Sequence, residues 1–142
     1  MQLFIGGACA GKRDAVDRRF PAASWHRLAP GRPLADWRRQ APPGAVRVVT
    51  GWLDWLEAAL EASADDETLR QQLAAELDAL CVDERRFGTP VVVILPEVGR
   101  GIVPMAPGDR RLRDLAGWLC QDAAARAERV WYVRHGLVQR LG

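Results

Sequence analysis

Gly6, Gly11 and Lys12 are spaced as G-x-x-x-x-G-K, the core of a phosphate-binding loop. Such a loop turns successive backbone N–H groups toward a phosphate, at the positive end of the helix that follows it. Gly6, Gly7, Ala8, Cys9, Ala10 and Gly11 are therefore expected to form the cradle, with Lys12 as a point charge near the outer phosphates. The next position normally carries Ser or Thr, whose hydroxyl ligates Mg²⁺. Here it is Arg13, so Mg²⁺ is expected to be held weakly. Of the 20 basic residues, 19 are Arg, and the lone Lys is Lys12. A compact ammonium and a planar guanidinium are not interchangeable in so tight a loop, which gives that placement meaning. Cys9, close to a helix N-terminus, has a setting that favours thiolate, but it reads first as a small loop residue.

The elements that must position this loop follow from the pattern. Leu3, Phe4 and Ile5 form a short apolar run that breaks at Gly6 and Gly7, as a buried strand entering a turn does. A helix is expected from Asp14 to Phe20, ended by Pro21, and a second strand from Ala22 to Leu28. A Pro- and Gly-rich stretch follows, with one polar turn at Trp37 to Gln40, before a β-branched strand from Val46 to Thr50. Two helices come next: one after Gly51 with a Trp- and Leu-rich face, one from Asp65 to Cys81 with Leu69, Leu73, Leu77 and Leu80 in step. Val91 to Leu95 is the clearest buried strand, and Glu97 to Pro107 is the loop after it. Asp109 is placed to cap a last helix, and Val130 to Val133 forms a final strand before a turn at Gly136. Strands alternating with helices predict an α/β fold: a mostly parallel sheet covered on both faces, the phosphate loop at a strand's carboxyl end.

Bulk properties narrow the classes. A chain of 142 residues is read as a single domain, 1–142, large enough for its own core. A net charge of +2 makes no case for nucleic acid. No apolar run has the length of a membrane span, and the apolar start is interrupted too early for a signal peptide. Cys9, Cys81 and Cys120 are odd in number and lack metal-ligand spacing, which reads as reduced thiols in a cytoplasmic protein. Glu97, just beyond a strand end, stands where α/β proteins bind ligands, although a purely structural role fits its position equally. His26, beside Trp25 in the second strand, reads on its own as an ordinary half-buried histidine.

Glu97-Val98-Gly99-Arg100-Gly101-Ile102-Val103-Pro104 resembles the E-V-G-x-G-I-V-P signature of the adenosylcobinamide kinase/adenosylcobinamide-phosphate guanylyltransferase family. Leu112-Arg113-Asp114, Gly117 and Gln121 follow in the same order, and Gly6 to Lys12 is similar to the family's G-G-A-R-S-G-K-S loop. His26-Arg27, Arg32-Pro33 and Trp37 resemble its H-R-x-x-R-P-x-x-W, with extra residues between the pairs. The resemblance implies a P-loop, RecA-like fold, a homotrimer, and two reactions in vitamin B12 assembly. These are phosphorylation of adenosylcobinamide, then GMP transfer from GTP through a guanylyl-histidine, for which His26 is the candidate. The implied ligands are GTP or ATP, with adenosylcobinamide as corrinoid substrate.

Three departures accompany the resemblance. Arg13 replaces the Mg²⁺-ligating hydroxyl, Thr50 and Gly51 end the strand where an acid is expected, and the segment before Val46 is short. Asp54, one helical turn on, is a possible substitute acid. They leave two expectations side by side: an active short enzyme, or a relative that binds nucleotide or a pathway partner without turnover.

Overall fold

The computed structural model describes residues 1–7, 10–40, 44–62, 64–97 and 107–141. Leu3 and Phe4, which have no exposed surface, lie in β1 (Gln2–Gly6), the strand that leads into the loop. α1 (Lys12–Arg19) follows, starting at Lys12 itself rather than at Asp14, and its end comes one residue before Phe20. The chain then forms β2 (Ser24–Arg27), a 3-10 segment at Leu34–Gln40, β3 (Arg47–Thr50) and α2 (Trp52–Glu61). α3 (Asp66–Phe87), β4 (Val91–Pro96), α4 (Pro107–Arg126), β5 (Arg129–Arg134) and β6 (Leu137–Arg140) complete it.

One six-stranded sheet results, in the order β2-β3-β4-β1-β5-β6. Every pairing is parallel except that of β6 with β5. Right-handed crossovers then decide which face each helix covers. The step from β1 out to β2 puts α1 on one face, and the steps back through β3, β4 and β5 put α2, α3 and α4 on the other. The core divides accordingly. Phe4, Val48, Val92, Ile94, Trp131 and Val133 pack with Ala15 and Val16 of α1. On the opposite face Leu3, Val49, Val91, Val93 and Leu95 meet the buried sides of α2, α3 and α4. The expected three-layer α/β architecture with a mostly parallel sheet is what forms.

α3, α4 and β6 also differ from expectation. α3 runs two turns beyond Cys81, to a C-cap at Gly88 with φ 69. Its added turns are polar, and Glu84 anchors them by accepting from the Met1 amino group at 2.5 Å and from the Val91 N–H at 2.8 Å. Asp109 lies inside the first turn of α4 rather than ahead of it. β6 is an additional strand, made by a two-residue hairpin in which His135 and Gly136 both take positive φ, 51 and 74. Positive φ at both central positions gives a turn whose twist matches the flanking strands.

β1 and β4 are neighbours whose connections leave on opposite faces, α1 on one and α4 on the other. A crevice at the carboxyl ends of such a pair is where open α/β sheets take their ligands.

Candidate functional site

The loop after β1 is clamped by backbone on both sides. A Cβ on Gly6 would collide with the carbonyl oxygen of Val133 in β5. The Gly6 carbonyl accepts from the Glu97 N–H at 2.8 Å, tying the loop's entry to the end of β4. At the exit, Gly11 caps α1 at φ 90, and the Gly136 N–H donates to the Ala10 carbonyl at 2.8 Å. At Gly11 the positive φ strains any side chain, and a Cβ would sit a tight 3.2 Å from the Cα of Gly136. Lys12 folds over the entry, its Nζ donating to the carbonyls of Gly6 at 2.7 Å and Gly7 at 2.8 Å. Ala8 and Cys9 lie outside the described residues, as do 98–106, which include the signature beyond Glu97.

Arg13 reaches toward β2. Its guanidinium lies over the ring of Trp25 in β2, 4.9 Å from the centroid. The other metal-binding positions are equally changed. Thr50 ends β3, and the Asp54 carboxylate is ion-paired with the Arg27 guanidinium across the β2–β3 end. Mg²⁺ needs oxygen donors in near-octahedral array, usually one or two carboxylates beside the phosphates. A guanidinium, a threonine at the strand end and an exposed carboxylate paired with arginine do not fit that requirement.

Glu97 is the carboxylate that stands at the loop, one residue past β4. It accepts from the Tyr132 hydroxyl of β5 at 2.6 Å. The ends of β4 and β5, on either side of β1, are thus bridged by a side-chain hydrogen bond. Cys120 of α4 donates to the Pro96 carbonyl at 3.7 Å, and burial, with the nearby Glu97 charge, pushes its thiol up to about 11. A thiol so placed stays protonated near neutrality.

His26 lies elsewhere. Register carries it from Val49 to Val93 to Leu3, so it is level with mid-β1 and three strands across. Strand spacing and rise make that roughly 14 Å sideways and roughly 10 Å short of Gly6. Its ring tilts against Trp37, centroids 5.5 Å apart, with Nε2 2.6 Å from the Ser24 hydroxyl. Burial, then the Arg47 charge, lowers its pKa by disfavouring the imidazolium. The structure therefore brings together Gly6, Gly7, Ala10, Gly11, Lys12 and Glu97 and leaves His26 apart.

Around His26 the charges answer one another. Buried Glu76 accepts from the Trp37 indole at 3.0 Å and pairs with Arg38 at 2.8 Å. Arg38 also reaches Asp83 at 2.9 Å, and the buried Arg47 guanidinium lies 4.0 Å from Asp83, under Trp37. Burial drives the Glu76 pKa up, against the opposing pull of Trp37 and Arg38. Beside this knot a cavity of about 350 Å³ opens between Arg27, Arg32, Asp36, Trp37 and Arg39.

Sequence reasoning missed Tyr132, Gly136 and Trp25. Each reaches the loop or Arg13 through strand order, and only the His135–Gly136 hairpin left a readable sign.

Comparisons with known proteins agree with this architecture. Residues 14–141 match the family described as CobU, cobinamide kinase / cobinamide phosphate guanyltransferase. The match begins just after the loop, so the loop rests on its own spacing and geometry. The bifunctional adenosylcobalamin biosynthesis protein CobP of Pseudomonas aeruginosa is 34% identical over 128 residues, 89% of this chain and 71% of that protein. The corresponding CobU proteins are 38% identical over 73 residues in Escherichia coli and 37% over 83 in Salmonella typhimurium. Those matches cover 51% and 58% of this chain, but only 40% and 41% of the two proteins. With the family match spanning nearly the whole chain, and the α/β sheet and loop in place, the chain belongs to the cobinamide kinase / cobinamide phosphate guanyltransferase family.

Proposed function

We propose that the chain binds a nucleoside triphosphate, GTP or ATP, in the loop Gly6 to Arg13 and acts in adenosylcobalamin biosynthesis as a kinase of adenosylcobinamide. The observation that carries the reading is the Lys12 ammonium folded onto the Gly6 and Gly7 carbonyls, in a loop clamped to β4 and β5. A preorganised cation and a helix N-terminus on one side of a crevice suit a triphosphate. In this reading the backbone of Gly6, Gly7, Ala8, Cys9, Ala10 and Gly11 holds the phosphates, and Lys12 sits by the β–γ bridge. The corrinoid hydroxyl oxygen attacks the γ-phosphorus, the bond to the β-phosphate oxygen breaks, and the nucleoside diphosphate leaves. Glu97, oriented by Tyr132, takes the hydroxyl proton.

The guanylyl-transfer half of the reading needs His26 as acceptor, and the position of His26 under Trp37 gives it no support. Homotrimer formation and a cytoplasmic location belong to the same proposal. Among the described residues no helix is long and apolar enough to cross a membrane. A second reading, binding without turnover, is favoured by Arg13 on Trp25 and Thr50 at the strand end.

Incubation with labelled GTP or ATP, adenosylcobinamide and Mg²⁺ decides between them. The kinase reading expects labelled corrinoid phosphate, abolished in Lys12→Ala. Tight nucleotide binding with no labelled corrinoid would leave the second reading. Acid-labile label on the protein, lost in His26→Ala, would restore the guanylyl-transfer half.

A further inference from the structure

We infer that nucleotide binding at this loop is independent of Mg²⁺, because Arg13 supplies the positive charge that a metal supplies in other loops of this spacing. The inference rests on the nucleotide-binding reading above and adds what balances the phosphates. Three observations converge on it. The residue after Lys12 is a permanent cation, and its exposed guanidinium is held 4.9 Å from the centroid of the Trp25 ring. The β3 end offers Thr50, and the neighbouring Asp54 carboxylate is engaged by Arg27. Glu97 accepts from Tyr132, which fixes it toward β5.

The physical logic is one of substitution. A triphosphate brings several negative charges to the loop, and Lys12 with the α1 N-terminus offsets only part of them. A second cation in the first turn of α1 offsets more, and the same charge repels a divalent ion from the position next to it. Stacking on Trp25 is worth little at an exposed site, so rotation of Arg13 toward a phosphate oxygen exchanges a weak contact for a charge-assisted bidentate one. Arg13 is thus a binding residue specific to this chain's version of the loop.

The test is equilibrium binding of GTP and of ATP to the full chain, once with excess Mg²⁺ and once with excess EDTA. The expected result is the same Kd in both. Arg13→Ser should weaken binding in EDTA by about tenfold, the worth of one charge-assisted hydrogen bond, and Mg²⁺ should recover part of that loss. Arg13 lies on the surface side of α1, and an unchanged Tm in the variant confirms that folding is not the cause. A wild-type Kd that rises about tenfold on chelation would overturn this inference while leaving nucleotide binding intact. Unchanged binding by Arg13→Ala in EDTA would overturn it also. No binding under either condition would remove the nucleotide reading itself, and this inference with it.

Discussion

The loop after β1 and the corner between β2 and the 3-10 segment are both rich in charge, yet they are built on opposite plans. The loop is held by backbone: Gly6 to Glu97, Ala10 to Gly136, and a glycine, Gly6, where no Cβ fits. Its side-chain charges, Lys12 and Arg13, rest on carbonyls and on an aromatic face, contacts a phosphate can displace. The corner is held by side chains, Glu76 and Asp83 against Arg38 and Arg47, with Trp37 between them. There the charges face one another, Arg38 closely and the buried Arg47 only at 4.0 Å from Asp83, rather than being presented to solvent. The lesson is that charge density does not mark a site; the availability of charge to an incoming group does. His26 belongs to the corner, and the loop owes it nothing.

The largest effect expected from this contrast is on stability. Glu76→Ala strips the acceptor from the Trp37 indole and leaves Arg38, and through Asp83 the buried Arg47, with too little negative charge. Breaking a buried pair from one side costs about 3–5 kcal/mol, read as a lowered midpoint in urea unfolding. Under conditions where the variant remains folded, its nucleotide affinity should match the wild type. A Glu76→Ala protein that folds well but loses GTP would mean that the corner serves the loop, and the division would fall.

A smaller stability effect, with the opposite functional signature, is expected at Gly6→Ala. The new methyl group meets the Val133 carbonyl, a backbone atom that cannot swing aside, so β1 and β5 must part. Overpacking of this kind costs about 1–3 kcal/mol. Nucleotide binding should drop much further than stability does, because the loop entry and its Glu97 contact move together. Isothermal titration with GTP alongside thermal unfolding separates the two. Loss of stability without loss of affinity would show that the clamp at Gly6 is not what shapes the cradle.

Legibility differed between the regions for the same reason. The loop was readable because its parts are local: an apolar strand, glycines where backbone must pass closely, and one Lys. The α/β alternation and its parallel sheet followed from runs such as Val91 to Leu95, buried on both faces. What sequence could not supply was strand order, which brings Tyr132 and Gly136 to the loop from the far end of the chain. The last turns of α3 were hidden because Glu84 holds them through hydrogen bonds to Met1 and Val91 rather than through an apolar stripe. β6 was hidden by exposure, since Leu137, Gln139 and Arg140 all face water. His26 was singled out because its neighbours Arg27, Arg32 and Trp37 keep the order of a motif. Order along the chain did not become proximity to the loop.

The smallest effect is a pH dependence that tests where His26 belongs. Burial, then Arg47, lowers its pKa below the ordinary 6.5 in the folded protein, while the unfolded chain keeps the ordinary value. Well above pH 6.5 both states are neutral at this residue and it contributes no pH dependence. Between 6.5 and the lowered folded value the unfolded state binds more protons, so stability falls as the solution is acidified across that window. His26 is only partly buried, so the slope should be shallow. His26→Gln should flatten it, as read from urea midpoints taken from pH 7.5 down to about 5. Equal acid sensitivity in the two proteins would place His26 outside the corner's electrostatics, and would turn attention back to it as a group held ready for chemistry.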